Sequence, residues 1–321
     1  MKTILTLIII SLVSCASNLK AQKITLEKVK EFNLPDGYDC NLLEVVQEEI
    51  VVTCPQASAF YHSMDGEDFK EVQYKYGRGP GELGRGPFGI GILKDYIVFS
   101  DPDLQRLFVY DKVKESFFVR NIKVDRGLTF LSSSDYDSLI FIRNRTLNSL
   151  GNLYNFYTQK FFKPFLTKEP FENSFLRDGQ VELLDNLLLF GSFHEGYVSI
   201  WDLKKQKQIE KYQLFKNNET RERSAQMNGM PGFIPPNSEN NIEGIGLYTK
   251  TEGDQFIIVL IKSRTNEFDL NKLYVFDTKK EQFVSEIKLE AEAKVFEMSG
   301  NFVYVHYEDL DKLVKYKMSA K

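Results

Sequence analysis

Arginine is the residue type in this chain best suited to binding a ligand. Its guanidinium group is planar and presents a fork of N–H donors that matches a carboxylate or a phosphate group. The 321-residue sequence contains eleven arginines, and seven of them are our candidate ligands for an anion: Arg78, Arg85, Arg143, Arg145, Arg221, Arg223 and Arg264. The alternative is that these arginines pair with carboxylates on the same loops and hold the fold together.

Other residue types give weaker indications of chemistry. His194 falls at a predicted strand end and Phe233 lies beside Pro235-Pro236, so both are candidates for contact with a ligand. Zinc takes three or four protein ligands, and His194-Glu195 lacks the rest of an H-E-x-x-H motif, so we expect no metal site. No G-x-S-x-G sequence is present, and spacing alone cannot identify a catalytic pair of carboxylates. We therefore assign no catalytic residue and no cofactor.

Segment 76–111 indicates which elements would position these residues. A glycine-rich loop is followed by three short apolar runs, at 88–93, 96–100 and 106–110, with turns at Lys94-Asp95 and Asp101-Pro102-Asp103. Short apolar strands closed by Gly, Pro and Asp turns are typical of all-β proteins. The loop lacks the G-K-[ST] of a P-loop, so its glycines are expected to permit tight backbone turns.

The third of these strands belongs to a pattern that recurs along the chain. It reads L-F-V-Y-D-K-V-K-E-S-F-F-V from Leu107 and returns, in closer or weaker form, from Ala59, Leu153, Val198, Leu273 and Leu313. The equivalent positions are then His62, Tyr110, Phe156, Trp201, Phe276 and Tyr316. A repeat of about 40 to 50 residues indicates a β-propeller. Six copies predict six blades, and the unpaired strand at 23–32 predicts that the ring closes against the strand at Leu313.

The glycine-rich loop, the V-F-S-D strand, Arg106 and the F-V-Y-D strand together resemble an NHL-type β-propeller repeat. The resemblance implies an all-β, six-bladed β-propeller of the NHL/TolB-like type found in exported lipoproteins of Bacteroidetes-type bacteria. It also implies a cell-envelope binding or scaffold protein, often without known activity. Because one fold hosts many functions, a propeller enzyme remains an alternative, namely a glycan lyase or hydrolase acting in the central funnel.

A propeller would sort the charged residues onto two faces. In a blade of strands A to D, the B–C loops and D–A connections lie on one face, and the A–B and C–D turns lie on the other. Nine of the eleven arginines map to the first face, whereas these lysines map to C–D turns: Lys112, Lys114, Lys204, Lys205, Lys207, Lys279 and Lys280. We expect the first face to recognise an anionic small molecule, a glycan or an acidic protein surface, and the second to be merely solvated.

The spacing of 75 residues between Trp201 and Phe276 marks an insertion at 217–241. The insertion is polar, rich in Pro, Gly and Asn, and without helical or strand periodicity. Long loops without structure of their own are usually functional or disordered, so we expect an irregular loop here.

The first 21 residues resemble an export signal. The apolar stretch 4–13 is too short to span a bilayer but suits a signal peptide. Leu12-Val13-Ser14-Cys15 resembles a bacterial lipobox, in which Cys15 becomes the lipidated first residue; the alternative is cleavage after Ala21. We expect a lipid-anchored protein of the periplasm or outer membrane, with a soluble secreted protein as the alternative.

The remaining cysteines and the composition complete the expectations. Cys40 and Cys54 flank a predicted hairpin, 41–46 against 50–53, and either form a disulfide or remain thiols. With 42% hydrophobic residues, the chain can bury the core of a single domain over 22–321. A net charge of −4 gives no basic excess for nucleic acid. We expect a monomer that meets the membrane through its lipid anchor only.

Overall fold

The computed structural model describes residues 24–34, 40–84, 86–87, 89–101, 103–122, 131–133, 138–143, 148–167, 179–184, 186–217, 223–227, 230–234, 239–251, 254–265, 267–307 and 310–320. For 131–133, 223–227, 230–234, 251 and 254 it describes the backbone alone. The only helical element in these ranges is a 3-10 turn at Pro55–Ala57, and none of them contains a helix long and apolar enough to cross a bilayer.

The strands form six four-stranded blades. The first strand, β1 (Ile24–Asn33), precedes blade 1, which contains β2 (Leu42–Val46), β3 (Glu49–Cys54), β4 (Ala59–Ser63) and β5 (Lys70–Gln73). Two short strands, β6 (Lys75–Tyr76) and β7 (Glu82–Leu83), lead to blade 2, which contains β8 (Ile90–Ile92), β9 (Tyr96–Asp101), β10 (Arg106–Asp111) and β11 (Ser116–Asn121). Blade 3 contains β12 (Leu131–Ser133), β13 (Leu139–Arg143), β14 (Ser149–Asn155) and β15 (Lys160–Leu166).

The second half of the chain repeats this arrangement. Blade 4 contains β16 (Gly179–Leu184), β17 (Leu187–Ser192), β18 (Tyr197–Asp202) and β19 (Lys207–Gln213). After β20 (Arg223–Met227) and β21 (Met230–Ile234), blade 5 contains β22 (Asn240–Thr251), β23 (Asp254–Ser263), β24 (Lys272–Asp277) and β25 (Gln282–Lys288). Blade 6 contains β26 (Ala293–Ser299), β27 (Phe302–Tyr307) and β28 (Lys312–Ala320), and β1 completes it.

The first strands of the blades surround a central channel. Each contacts the next in the order β2, β8, β12, β16, β22, β26 and back to β2, which closes the ring. The fourth strands lie outermost, and their residues are largely exposed or half-buried. The predicted all-β fold with six blades is therefore confirmed.

Strand β1 closes the ring as predicted. It pairs antiparallel with β28 from Ile24 opposite Ala320 to Asn33 opposite Lys312, with a bulge between Lys28 and Lys30. Closure leaves no blade with an unpaired third strand, which would otherwise expose a row of backbone donors and acceptors.

The hydrophobic core consists of six clusters, one at each junction between neighbouring blades. At the junction of blades 1 and 2, the ring of Phe60 meets the ring of Tyr110 edge to face, with centroids 5.4 Å apart. Aromatic pairs of this geometry add about 0.5–1.5 kcal/mol beyond the burial of their area. The recurring aromatic position thus joins one blade to the next.

The recurring aspartate after the aromatic residue shapes the C–D turn. Asp111 Oδ1 accepts hydrogen bonds from the backbone N–H groups of Val113 and Lys114 at 3.1 and 2.9 Å. The backbone hydrogen bond from Lys114 is the main cause that lowers the pKa of Asp111. Asp202 and Asp277 accept from their own turns in the same way. Each of these three turns ends in a residue whose φ angle is positive: 50° at Glu115, 51° at Gln206 and 53° at Glu281.

The same turn corrects the alignment of blade 3. There Asn155 Oδ1 accepts the N–H of Thr158 at 2.8 Å, so Asn155 takes the place of Asp111. The equivalent of Tyr110 is therefore Tyr154, and the assignment to Phe156 is wrong by two residues. An asparagine can accept the turn hydrogen bond as an aspartate does. Blade 3 therefore lacks the aspartate that marks the register of the repeat in the sequence of other blades.

The insertion at 217–241 is not irregular throughout, which corrects the expectation above. Strands β20 and β21 form an antiparallel hairpin, with Arg223 opposite Ile234 and Met227 opposite Met230. Asn240 and Asn241 already belong to β22. The two hairpin strands are separated by Asn228-Gly229 in the sequence, and Asn-Gly is the strongest short-range hairpin indication.

Candidate functional site

Hydrogen bonds between loops define the two faces of the propeller. The B–C loops meet the D–A connections: Tyr76 Oη donates to the carbonyl of Pro55 at 2.8 Å, and the N–H of Arg264 donates to that of Glu239 at 2.8 Å. We call this side the loop face. On the opposite side, the turn face, C–D turns meet A–B turns, as where the N–H of Leu203 donates to Asn186 at 2.8 Å.

The candidate residues of the loop face are described to different extents. Arg78, Arg143, His194 and Arg264 are fully described. Arg223 and Phe233 lie in β20 and β21, where only the backbone is described. The remaining candidates lie outside the described residues: Arg85, Arg145, Arg221 and the lipidation candidate Cys15.

The first blade corner on the loop face is held by a buried ion pair. Asp101 Oδ2 accepts from Arg106 Nε and from the N–H of Gly84, both at 3.0 Å, and Asp101 is fully buried. Arg106 Nη2 donates to the carbonyl of Glu82 at 2.6 Å and its Nη1 to that of Gly79 at 3.2 Å. The pair therefore folds the glycine-rich loop onto blade 2.

The glycines of that loop leave room for a side chain to fold back over it. The Glu82 carboxylate folds back to accept the N–H of Gly79 at 2.8 Å. A Cβ added to Gly77 would lie 2.1 Å from this carboxylate. The glycines thus shape a loop that rests on Glu82 and Arg106, and they do not form a phosphate cradle opening a helix.

Arg143 serves the fold rather than an open surface. It is 2% exposed at the end of β13, and its Nη2 donates to the carbonyl of Gly179 in blade 4. Its guanidinium carbon lies 5.9 Å from the ring centroid of Phe190. Arg120 behaves similarly, with its guanidinium carbon 3.7 Å from the centroid of Phe156.

Arg78 and Arg264 differ from these arginines because their side chains are exposed. Arg78 lies in the connection from blade 1 to blade 2, and Arg264 follows β23 in blade 5. Within the described part of the chain, neither guanidinium group forms an ion pair. They are the described arginines most accessible to an anion.

The loop face also carries the disulfide between Cys40 and Cys54, whose Cα atoms are 4.0 Å apart. Cys40 precedes β2 and Cys54 ends β3, and these strands pair from Leu42 opposite Thr53 to Val46 opposite Glu49, so the predicted hairpin is confirmed. The disulfide therefore cross-links the two innermost strands of blade 1 at the loop face.

The histidines do not form a described metal site. His194 is half-buried, and its carbonyl accepts from Asn217 Nδ2 at 2.6 Å, so it anchors the start of the insertion. His62 and His306 are buried in β4 and β27. Across the described residues, no group of three His, Cys, Asp or Glu side chains is arranged to hold a metal ion.

One lysine of the turn face is not a solvated charge, which corrects the expectation for that face. The Lys112 side chain is 5% exposed, and its Nζ lies 2.8 Å from Glu49 Oε1. His62 Nε2 lies 2.7 Å from the same oxygen, and Glu49 is 1% exposed. Burial of Glu49 demands a cation, and Lys112 reaches it from the neighbouring blade.

Sequence reasoning missed a group of carboxyl groups in the channel. Glu182 of β16, Glu243 of β22 and Glu297 of β26 line one small void, and Glu182 is buried. Burial raises the pKa of Glu297 well above its usual range, and the charge of Glu182 and a hydrogen bond with it raise it further. Glutamates within the apolar sequences V-E-L-L and V-F-E-M were the available signal.

Close packing of the innermost strands brings these carboxyl groups together. A Cβ added to Gly244 of β22 would lie 2.7 Å from the ring of Phe296 of β26. Gln180 Nε2 of β16 donates to the carbonyl of Glu243 at 2.9 Å. Blades 4, 5 and 6 therefore converge on one wall of the channel.

Comparison with known proteins identifies the fold. The chain is similar to a solved chain described as the structure of U3-55K, with a TM-score of 0.52 and 9% identity over 89% of this chain and 98% of that one. It is also similar to the WD40 repeats of RRP9, with a TM-score of 0.56 and 8% identity over 92% of this chain and 100% of that one.

Sequence comparisons add no family. No model of a known protein family matches the chain, and no curated protein matches it. Neither of these two structures is described as an NHL or TolB-like propeller, so that finer assignment stays a prediction. At 8–9% identity the likeness shows the fold alone, and this chain is a six-bladed β-propeller.

Proposed function

We propose that this propeller is an exported, lipid-anchored binding or scaffold protein of the cell envelope. Its loop face binds an anionic small molecule, a glycan or an acidic protein surface through Arg78 and Arg264, together with the arginines of neighbouring loops. The protein presents a rigid ring, and specificity resides in the loops that the ring supports.

The observation that carries the binding proposal is the division among the described arginines. Arg106 and Arg143 are buried and bonded to the fold, whereas Arg78 and Arg264 are exposed and without an ion pair in the described chain. A guanidinium group that is not committed to the fold can offer its N–H fork to a carboxylate or phosphate group.

Two features support export. The Cys40–Cys54 disulfide suits an oxidising compartment, because cytosolic proteins keep their thiols reduced. The lipobox-like sequence ending at Cys15 and the resemblance to NHL/TolB-like lipoproteins agree with it. Periplasm or outer membrane is therefore the proposed location.

A thermal-shift titration tests the binding proposal. The probes are trigalacturonate and a poly-glutamate peptide, with neutral maltotriose for comparison. We expect an acidic probe to raise the melting temperature of the wild type, and the double variant Arg78→Ala/Arg264→Ala to lose that shift. The matched control, Lys114→Ala/Lys205→Ala, removes the same charge from the turn face and should keep the shift. Equal shifts in both double variants, or no shift in the wild type, would refute an arginine site.

Fractionation tests export separately. The wild type should enter the detergent phase of membrane extracts and carry a lipid on its mature N-terminus by mass spectrometry. The Cys15→Ala variant should remain in the aqueous phase. Recovery of the wild type without lipid, cleaved after Ala21, would favour soluble secretion instead.

The enzyme alternative receives less support from the channel. Burial and the neighbouring carboxyl group of Glu182 raise the pKa of Glu297, and both residues line one small void in the channel. Retaining glycosidases hold their two carboxyl groups about 5–5.5 Å apart and inverting ones farther, with the sugar between them. The void beside Glu182 and Glu297 has a volume of only about 10 Å³, which leaves no room for a sugar ring.

A further inference from the structure

An exposed tyrosine precedes Arg78 by two residues on the loop face. Tyr76 ends β6 in the connection from blade 1 to blade 2, and it is 43% exposed. Arg78 follows after a single glycine and is exposed as well. Two residues of even a fully extended chain span at most about 7 Å. One small ligand can therefore contact the ring of Tyr76 and the guanidinium group of Arg78 together.

The ring of Tyr76 is held in place from two sides. Its Oη donates to the carbonyl of Pro55 at 2.8 Å and lies 3.4 Å from the Oη of Tyr74. Tyr74 is buried, and its ring meets the ring of Tyr76 edge to face, with centroids 5.5 Å apart. In such a pair one ring presents its edge, so Tyr74 leaves at least one face of the Tyr76 ring uncovered. The exposed part of Tyr76 is thus a positioned, flat apolar surface.

The main chain that carries Arg78 is also fixed. The buried Arg106 donates through Nη1 to the carbonyl oxygens of Arg78 and Gly79, at 3.4 and 3.2 Å. The neighbouring Glu82 carboxylate accepts the N–H of Gly79 at 2.8 Å. Arg78 itself forms no ion pair within the described residues. A fixed loop therefore presents a guanidinium group that the fold does not use.

Two further exposed polar side chains border the ring. Lys75 directly precedes Tyr76, and Gln56 directly follows Pro55, whose carbonyl accepts from the Tyr76 hydroxyl. The ammonium group of Lys75 adds positive charge, and the amide of Gln56 can both donate and accept hydrogen bonds. We call these four residues, Gln56, Lys75, Tyr76 and Arg78, the blade 1–2 corner.

We propose that the blade 1–2 corner binds an acidic sugar, a pyranose ring bearing a carboxylate, as part of a glycan. This inference rests on the proposed anion binding at the loop face and narrows it to one ligand class. The electron-rich face of Tyr76 attracts the C–H groups of the pyranose ring. The guanidinium fork of Arg78 receives the carboxylate, and the amide of Gln56 serves the hydroxyl groups.

The aromatic ring is what favours a sugar over an acidic peptide. Glutamate and aspartate carry their carboxylates on flexible side chains without a flat C–H face. Such a peptide would use the charge of Arg78 and gain little from Tyr76. A neutral sugar would use Tyr76 and leave the guanidinium group of Arg78 without an anion. Only a ligand that has both features engages the whole corner.

Calorimetric titration with three probes tests the proposal. Trigalacturonate carries three pyranose rings and three carboxylates, N-acetylated and C-amidated triglutamate carries the carboxylates alone, and maltotriose carries the rings alone. We expect the wild type to bind trigalacturonate at least tenfold more tightly than either other probe. This comparison needs no variant, so it remains decisive if a substitution prevents folding.

Variants locate the site. Tyr76→Ala should lose at least tenfold affinity for trigalacturonate, whereas Tyr76→Phe keeps the ring and should stay within about threefold of the wild type. The matched control is Tyr157→Ala, which removes a tyrosine of similar exposure, 45%, from a C–D turn on the opposite face and should bind normally. Arg78→Ala should lose at least tenfold affinity, and Lys114→Ala, an exposed turn-face cation, should not.

The outcomes separate this inference from the proposed function. Equal affinity for trigalacturonate and triglutamate, or wild-type binding of trigalacturonate by Tyr76→Ala, overturns the sugar assignment and leaves anion binding by the loop face intact. Binding of neither acidic probe overturns both. Tight binding of trigalacturonate that depends on Tyr76 and Arg78 is the predicted result.

Discussion

Burial decides what each charged residue of this propeller does. Asp101 and Arg106 lie within a blade corner, and Glu49 lies between His62 and Lys112 at a blade junction. Removing such charges from water costs several kcal/mol each, so they persist only when paired and hydrogen-bonded. Exposed charges remain hydrated, so they need no partner within the fold and are accessible to ligands.

Loss of the Glu49 charge should destabilise the protein strongly. Glu49→Gln leaves the buried ammonium group of Lys112 without its partner, and breaking a buried pair costs about 3–5 kcal/mol. Urea unfolding of wild type and variant measures the difference. The control is Lys114→Met, whose ion pair with Asp111 is at the surface, where pairs contribute about 0–1 kcal/mol. A loss below about 1 kcal/mol in Glu49→Gln would contradict the assigned network.

The carboxyl pair should give stability a specific pH dependence. The pKa of Glu297 is raised in the folded protein by burial and by Glu182, whereas the unfolded chain has the ordinary value of 4.5. The folded state holds a proton that the unfolded state has lost, so stability falls as pH rises from about 4.5 through the raised pKa. Glu182 and Glu243 are the charged groups that face it across the void.

Glu297→Gln removes that dependence, because the amide can donate to Glu182 at every pH. We expect the stability of the wild type relative to this variant to decrease as the pH rises above about 4.5, measured by urea unfolding at each pH. The substitution Glu27→Gln provides the exposed control. Parallel pH profiles of wild type and Glu297→Gln would show that Glu297 titrates normally.

At the scale of elements, the same C–D turn and the same contact between neighbouring blades recur along the chain. The capped C–D turn and the aromatic contact explain why the motif from Leu107 returns along the chain. Both are local features, so the blades could be predicted from the sequence. The hairpin in the insertion was missed because its strands lack an alternating apolar pattern, although Asn228-Gly229 indicated it.

The disulfide should stabilise blade 1 measurably. Cys40 and Cys54 close a loop with a sequence separation of 14, for which a cross-link contributes about 2–4 kcal/mol, chiefly by restricting the unfolded chain. Cys40→Ser/Cys54→Ser should lose this amount in urea unfolding. Reducing agent should lower the wild type to the same stability and leave the variant unaffected. Equal stability of oxidised wild type and variant would argue against the cross-link.

At the scale of the whole molecule, closure of the ring places the exposed arginines on one face and brings the channel carboxyl groups together. Glu182 and Glu297 are far apart in sequence and meet only because blades 4 to 6 converge on the channel. No spacing rule could pair them, whereas the position of Arg78 and Arg264 on the loop face follows from counting strands. The role of Arg143 likewise required the neighbouring blade, since its partner is the carbonyl of Gly179.

Closure also fixes the relative register of the two ends of the chain. Thr25 lies opposite Ser319, with their hydroxyl oxygens 3.1 Å apart, and ion pairs join Lys28 and Lys312 to Glu290 beside this seam. A ring with one blade more or fewer would change the convergence of the innermost strands. The common face of the exposed arginines and the packing of the channel therefore depend on this seam.

Cross-linking β1 to β28 tests that dependence most directly. In a background with Cys40→Ser and Cys54→Ser, the pair Thr25→Cys/Ser319→Cys should form a disulfide under mild oxidation, detected by mass spectrometry of the digested protein. The mismatched pair Thr25→Cys/Leu313→Cys should not, because Leu313 lies six residues before Ser319 and opposite Phe32. Efficient cross-linking of the first pair alone is the predicted result. Cross-linking of neither pair, or of the mismatched pair instead, would contradict the closed ring of six blades.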